Sequence, residues 1–459
     1  MKIPLLSGVV TSPGMPDFEL SYPLNMEPVA IDTKIAQGYL RAAMGVRSVS
    51  EGPGKDRGGI EWNGVCYRVM GTSLVSIGSD DVITVLGEVG DGAEGSFDYG
   101  FDRLAVASGG DLFYYDGAAL VRVTDPDLGT VNDVIWIDGY FMATDGSYVV
   151  VTELSDPMQV KPLKYGSAET DPDPITGLLK LRGEVYVLGR YTIQVFGNVG
   201  GTGFPFADRR GAGISIGCVG PHAKTLFADT FAFVGSRRND PLGVYVAGQG
   251  SGQKISTRAV DDDLATLSDP AAVTVEARNG RDEQRLYVHL PTHSWVYLAS
   301  ASTRYGTPVW YRVASRDGGY RPRNAVLSGG RWLCGDMASN AVGVLAEDTS
   351  QHFGTDTPWQ FEAGLLYNAS KGGLVHKLEL VGLPGRGGQG SALMSLSDDG
   401  VTWGPETAVG TGVPGQRAIR VTWRPHRRFR NWLAMRFRGL DASSPAWTAL
   451  EAEVVGLSV

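Results

Sequence analysis

"LLKLRGEVYVLGRYTIQVFGN", residues 178–198, reads as strand, turn, strand, turn, strand. Apolar residues alternate on Val185 and Val187 and again on Ile193 and Val195, with Arg182-Gly183 and Gly189-Arg190 punctuating the runs. A period of two sends successive side chains to opposite faces, so one face of each run packs into a core. Glycine supplies the positive φ that tight hairpins need.

The same pattern recurs along the chain. Asn-Gly or Asp-Gly pairs, the strongest short hairpin signals, fall at Asn63-Gly64, Asp91-Gly92, Asp116-Gly117, Asp138-Gly139, Asp145-Gly146, Asn279-Gly280, Asp317-Gly318 and Asp399-Gly400. Of 459 residues, 63 are glycine, well above the usual share of roughly 7%. No Gly-X-Y period accompanies them, so they mark turns between many short strands. Only "DTKIAQGYLRAAM" (32–44) and "DDDLATLSDPAAV" (261–273) offer short helical windows.

Strands group at 60–90, 100–128, 132–160, 175–199, 222–258, 272–313 and 323–350. A blade of four antiparallel strands repeated radially has this length. The expectation is an all-β protein: a β-propeller of six or seven irregular blades, with stacked sandwiches as the alternative that the turn density also allows. Residues 197–220 hold eight glycines in 24 and are expected to project as a loop. Near 350–362 a polar connector leads to longer strands rich in arginine. The division read is an N-terminal arm (1–57), a propeller (58–352) and a C-terminal β-sandwich (353–459).

Net charge is −9, which disfavours a role in coating nucleic acid. It is uneven: residues from Asp356 onward carry +2 and the preceding part −11. No apolar run reaches the length of a membrane span, and the N-terminus does not read as a secretory signal. Cys66, Cys218 and Cys334 are odd in number and far apart, which suits free thiols in a reducing cytosol.

Candidate chemistry is sparse. His289 and His293 stand four apart in "HLPTHSW". A helix would put them on one face as zinc ligands, but "RLYVHL" alternates as a strand and Pro291 lies between them. On a strand they would stand roughly 13 Å apart, and no acid separates them to serve as a general base. They read as residues flanking a hairpin. "SDDGVTWG" (397–404) resembles the Asp-box turn of sialidases through Asp398, Gly400, Thr402 and Trp403, with Leu396 at the leading position. There the carboxylate caps backbone N–H groups. Gly200, Gly201 and Gly203 lack the helix and Lys-Ser/Thr of a phosphate loop. Asp261, Asp262 and Asp263 read as a solvated loop. No residue is assigned to catalysis, to a cofactor or to a metal.

"RVTWRPHRRFRNWLAMRFRG" (420–439) is the most informative charge feature. It holds seven arginines and no acid, interleaved with Trp423, Phe429, Trp432 and Phe437. Arginine forks bind carboxylates and phosphates bidentately and stack on aromatics. Three readings stay open: a solvated sheet face, a protein interface that includes the acidic part of a neighbouring subunit, and contact with DNA. The interface candidates are Arg424, Arg427, Arg428, Arg430, Arg436 and Arg438.

An ordered set of segments resembles one family. "YPLNM" (22–26) and "GYLRAAMG" (38–45) resemble its N-terminal arm. "FADTFAFVG" (227–235) and "GVYVAGQGSGQKIST" (243–257) resemble its central strands. "HLPTHSWVYLASAS" (289–302) with "PVW" (308–310), then "CGD" (334–336) and "DTSQHFG" (348–354), follow in order. Leu298 departs from the family's Asp after the Tyr. The family is the packaged-DNA stabilisation proteins, or tail hubs, of short-tailed phages. The resemblance implies a non-enzymatic virion protein of the tail, assembled in the host bacterial cytoplasm. It implies a homohexameric ring below the head-completion adaptor ring of the portal complex. That ring closes the channel after packaging, lets double-stranded DNA pass without sequence-specific binding, and docks tailspikes and a needle. A glycan-binding or sialidase-like propeller is the alternative. A cleaving enzyme of that type needs clustered arginines and a Tyr/Glu pair inside the propeller.

Overall fold

The computed structural model describes residues 1–456 apart from 4, 6–8, 12–17, 32, 155, 168–172, 249, 281, 370, 387–388 and 443. The chain forms two compact units. One is Ser48–Leu290 with Pro322–Val344; the other is Met1–Arg47, Pro291–Arg321 and Leu345–Val459.

Seven strand groups make a propeller, most of whose strands lie in the first unit. The opening stretch supplies the fourth: Ile175–Leu181, Glu184–Gly189 and Ile193–Asn198 pair in turn, and Phe206–Asp208 completes the sheet. Arg182 and Gly183 adopt φ of 53° and 78°, the left-handed pair that a two-residue hairpin requires. The innermost strands are Asp56–Trp62, Ser96–Tyr99, Asp133–Ile137, Ile175–Leu181, Lys224–Phe227, Thr274–Asn279 and Pro322–Ser328. Neighbouring groups meet mainly through these strands. Glu184–Gly189 meets Gly217–Cys218 between the fourth and fifth, and the last strand returns to the first. This cyclic order is a seven-bladed propeller. The ring is latched out of sequence: Gly45–Glu51 joins the last blade, Gly52 and Asn340 exchange hydrogen bonds, and Val49 packs with Val326, Leu333 and Val342. The apolar cores lie between blades. Trp62, Tyr67 and Val69 of the first blade, for example, pack with Leu104, Val106 and Phe113 of the second.

The second unit is a sandwich of two antiparallel sheets. One orders Val421–Trp423, Gly373–Gly382, Ala446–Gly456, Tyr39–Ala42 and Met26–Val29, with Lys2–Ile3 and Arg427–Phe429 at its sides. The other orders Thr357–Tyr367, Trp432–Asp441, Gly390–Ser397 and Thr407–Gly412. Between them lies one core built on Trp359, Phe361, Trp423, Phe437 and Trp447.

Several expectations change. The arm read as 1–57 is divided, because Met26–Val29 and Tyr39–Ala42 complete a sandwich sheet while residues 48–57 serve the propeller. Among the described residues of the window 32–44 there is no helix; Tyr39–Ala42 is a strand. The window 261–273 is displaced: the helix runs Arg258–Ala265, and only Pro270–Ala272 follows as a 3-10 turn. Asp261, Asp262 and Asp263 therefore lie on a helix, where Asp261 accepts from Ser256 Oγ and Lys254 Nζ, each at 2.6 Å. The glycine-rich segment does not project as a whole, since Pro205, Phe206, Ile214 and Ile216 are buried. Two Asp-Gly signals are not hairpins: Asp91-Gly92 links two blades, and Asp317-Gly318 lies in the connection before Pro322.

Candidate functional site: the propeller axis and the arginine edge

An inner strand is also a sheet edge, with backbone groups that need partners. Charged side chains from neighbouring blades supply them. Asp98 Oδ2 accepts the Trp136 N–H at 2.6 Å, and both its oxygens accept from Lys180 Nζ at 2.8 and 2.6 Å. One step round, Asp133 Oδ2 accepts the Leu178 N–H and Lys224 Nζ, each at 2.7 Å, and its Oδ1 takes the Ser96 hydroxyl. Glu276 Oε2 accepts the Ala325 N–H at 3.1 Å, while Arg278 donates to Glu276 Oε1 at 2.6 Å and to the Pro322 carbonyl at 2.9 Å. The seam between the last and first blades is closed by a trio whose two charged members are buried. Arg68 Nε donates to Asp56 Oδ1 at 2.7 Å and Nη2 to the Asn324 carbonyl at 2.9 Å, and Asn324 Nδ2 donates to Asp56 Oδ2 at 2.8 Å. The Arg68 and Asp56 side chains are fully buried. Gly335 is required beside them, because a Cβ there would stand 2.2 Å from Asp56. Arg57 ties the first two blades through the carbonyls of Gly71, Gly90 and Ala93 and the Ser108 hydroxyl.

The belt surrounds a cavity of about 320 Å³ lined by Glu94, His222, Lys224, Glu276 and His289 among others. Burial, opposed by Arg323 and reinforced by the Asp56 and Glu276 charges, pushes the Glu94 carboxyl up to about 7. Burial pushes His289 down to about 4 despite Glu276 Oε1 at 3.4 Å from its Nε2. Burial, with Lys224, does the same to His222. His289 is thus a buried strand residue with an acidic neighbour supplied by another strand, which linear spacing could not show. His293 sits in the following turn, its Nδ1 3.0 Å from Thr292 Oγ1 and its ring against Trp295. Among the described residues no three His, Cys, Asp or Glu side chains are placed to hold a metal.

The alternative reading asked for arginines and a Tyr/Glu pair inside the propeller. Glu276 and Tyr287 are cross-strand partners, and the Arg278 guanidinium lies 4.0 Å over the Tyr287 ring. Tyr287 and Arg278 are 3% and 2% exposed, and Arg278 is committed to Glu276 and to the seventh blade. The trio is an inter-blade tie in which Arg278 and Tyr287 are buried and Glu276 lines the cavity.

In the sandwich, the arginine candidates divide. Arg436 Nε donates to Glu362 at 2.8 Å and lies 3.8 Å over the Trp403 ring. Arg438 makes a bidentate pair with Glu406, Arg427 pairs with Asp398, and Arg420 pairs with Glu379 at 2.6 Å. Arg424, Arg428 and Arg430 are exposed and make no ion pair among the described residues. They flank or lie on the short side strand Arg427–Phe429, which pairs with Gly373–Val375. His426 turns the chain there at φ 46°, its Nδ1 3.3 Å from that of His376.

The turn at 397–404 caps differently from the expectation. Asp399, not Asp398, accepts the Val401 and Thr402 N–H groups at 2.8 and 2.7 Å, and those bonds hold its carboxyl well below the usual range. Asp398 serves Arg427 instead. In "YPLNM", Asn25 adopts φ 52° and clasps three segments: Nδ2 donates to the Ala314 and Pro358 carbonyls at 2.8 and 2.6 Å, and Oδ1 accepts the Ala314 N–H at 3.0 Å. After Tyr297, inside the strand group read at 272–313, the chain forms the helix Ala299–Tyr305. Its N-cap is Leu298, which is buried and gives no side-chain cap. Gly306, at φ 69°, ends it.

Known proteins match along the whole length. The model of the family described as "Bacteriophage P22 Gp10, beta-propeller" matches residues 1–350, and that described as "Bacteriophage P22 Gp10, beta-sandwich" matches 358–455. The tail hub protein gp10 of Salmonella phage P22 is 26% identical over 471 residues, covering 96% of this chain and 97% of that protein. Among solved structures, the N-terminal domain of Nup159 aligns with TM-score 0.41 at 10% identity, over 66% of this chain and 94% of that one. The Neurospora crassa Pan2 WD40 domain aligns with TM-score 0.40 at 9% identity, over 64% and 89%.

Proposed function

The chain belongs to the bacteriophage P22 Gp10 family, and from that premise we propose that it is a structural tail hub. Copies of it form a ring, a homohexamer, below the head-completion adaptor ring of the portal complex. The ring closes the channel after packaging, retains the DNA without reading its sequence, and docks tailspikes and a needle. The observation that carries this reading is the end-to-end match to a tail hub, with propeller and sandwich in the same order. The physical character of the molecule supports it. A propeller whose blades are tied across the axis by buried charges resists shear between blades, as a part loaded by pressurised DNA must. The −11 carried before Asp356, a stretch that includes the propeller, disfavours gripping a polyanion.

The test is the virion. Mass spectrometry of purified particles should find the chain in a few copies per particle, and electron microscopy should place it as a ring between adaptor and spikes. Its presence in infected-cell lysate with absence from virions would overturn the proposal. Turnover of host-surface glycans by the purified chain would instead support the sialidase-like alternative.

A further inference from the structure

We propose that Arg424, Arg428 and Arg430 form one half of a head-to-tail contact between copies of this chain. The other half is the carboxylate and tyrosine rim of the third propeller blade of the next copy: Asp125, Asp127, Asp145, Tyr148 and Tyr165. The inference rests on the reading of the chain as a repeating hub subunit, and it assigns the surfaces that repeat.

Two observations converge. In the sandwich, four of the seven clustered arginines are neutralised within the chain, whereas Arg424, Arg428 and Arg430 remain exposed without an acid among the described residues. Their guanidinium groups are open to an anion from outside. In the propeller some carboxylates are likewise neutralised, as Asp81 is by Arg331 and Glu184 by Arg209. Asp125, Asp127 and Asp145 lie close together without such a partner: Asp145 Oδ1 accepts the Tyr148 N–H at 2.7 Å and Asp125 Oδ1 the Asp127 N–H at 2.9 Å. They come from two separate turns, none has a Lys or Arg partner among the described residues, and all three charges act on one phenol. Tyr165 is raised by burial first and then by Asp145, Asp127 and Asp125. Its hydroxyl donates to the Asp127 carbonyl, and its ring meets Tyr148 edge-on at 6.2 Å. Tyr148 is 51% exposed.

The two surfaces have complementary chemistry. Guanidinium forks take carboxylates bidentately and stack on exposed tyrosine, and Arg and Tyr are the residues enriched where interfaces hold most strongly. The uneven charge of the chain, +2 from Asp356 onward against −11 before it, favours a partner identical to itself over a polyanion. A contact between two different patches of one chain is heterologous, so it propagates from copy to copy, and it gives a ring when the rotation between copies closes.

The experiment uses virions carrying Arg428→Cys together with Asp127→Cys. The native thiols Cys66, Cys218 and Cys334 are buried and stay silent. Oxidation with copper phenanthroline should give a reducible ladder of hub multimers that neither single substitution gives. In parallel, R424E/R428E/R430E should cut incorporation into particles at least tenfold with an unchanged thermal melt. Adding D127K/D145K should restore it. A full complement of hub in the particles without a ladder, or a ladder joining the thiol introduced by Arg428→Cys to another virion protein, would overturn the assignment. So would a triple reversal that incorporates normally, or one that incorporates but leaks DNA. If the wild-type chain is absent from virions, the hub reading fails separately. The cysteine pair is then scored on the purified full chain by native mass spectrometry, where monomer alone overturns the inference and multimers support it.

Discussion

In the propeller unit Arg68 is fully buried against Asp56, whereas in the sandwich unit Arg438 meets Glu406 with about half its side chain in solvent. The contrast runs through both bodies. The sandwich fills the space between its sheets with one apolar core around Trp359 and Trp447. The propeller has several smaller cores between neighbouring blades, and toward the axis there is no facing sheet to cover the inner edges. Those edges are satisfied by carboxylates and guanidinium groups reaching from other blades. Radial folds thus place charge where layered folds place tryptophan, because backbone groups at the axis require hydrogen-bonding partners that apolar side chains cannot provide.

The sharpest way to break this comparison is Asp56→Ala. It leaves the Arg68 charge buried without its carboxylate and should cost about 3–5 kcal/mol, read as a lowered urea midpoint for the propeller transition. The matched change in the sandwich, Glu406→Ala, should cost less than about 1 kcal/mol, because solvent screens an exposed pair. Equal losses would show that burial does not distinguish the two. Between them falls Asn25→Ala, which removes three hydrogen bonds from a buried clasp and should cost roughly 2–3 kcal/mol, read as a lower melting temperature of the sandwich transition.

A smaller effect sharpens the comparison through pH. Glu94 has a folded pKa near 7, above the usual 4.5. Between those values the folded state holds a proton that the unfolded state has lost, so stability falls as pH rises through that window. His289 is depressed from 6.5 to about 4. There the unfolded state binds the extra proton, so its contribution is complete above 6.5 and is lost as pH falls toward 4. Glu94→Gln should therefore raise the melting temperature relative to wild type increasingly from pH 5 to pH 8. A constant difference across that range would mean that Glu94 does not titrate in the axial cavity. Smallest of all, Arg428→Ala should leave the melting temperature of the isolated chain unchanged, since the side chain is exposed and supports no internal contact.

Much of this was legible in the one-dimensional pattern. Period-two alternation with left-handed turn residues at Asn63-Gly64, Asp138-Gly139 and Arg182-Gly183 fixes hairpins locally, because both signals depend only on neighbouring φ and ψ. The seven strand groups and the arginine-rich second body follow from the same local information. The helix Ala299–Tyr305 was not legible: its N-cap is an apolar Leu298 held by burial rather than by a capping side chain. Nor was the choice of Asp399 over Asp398 as turn cap, which depends on a one-residue register that Ser397 sets through its own hydrogen bonds.

The sequence by itself determined which runs alternate, most of the hairpin turns and where positive charge accumulates, because each is a property of near neighbours; it left the blade count at six or seven. Only the tertiary structure decided the pairings. Asp56 with Asn324, Glu27 with Tyr311, and the division of seven arginines into four neutralised and three free all join residues far apart in the chain. A charge has no preferred partner until the fold sets the distance and the dielectric around it.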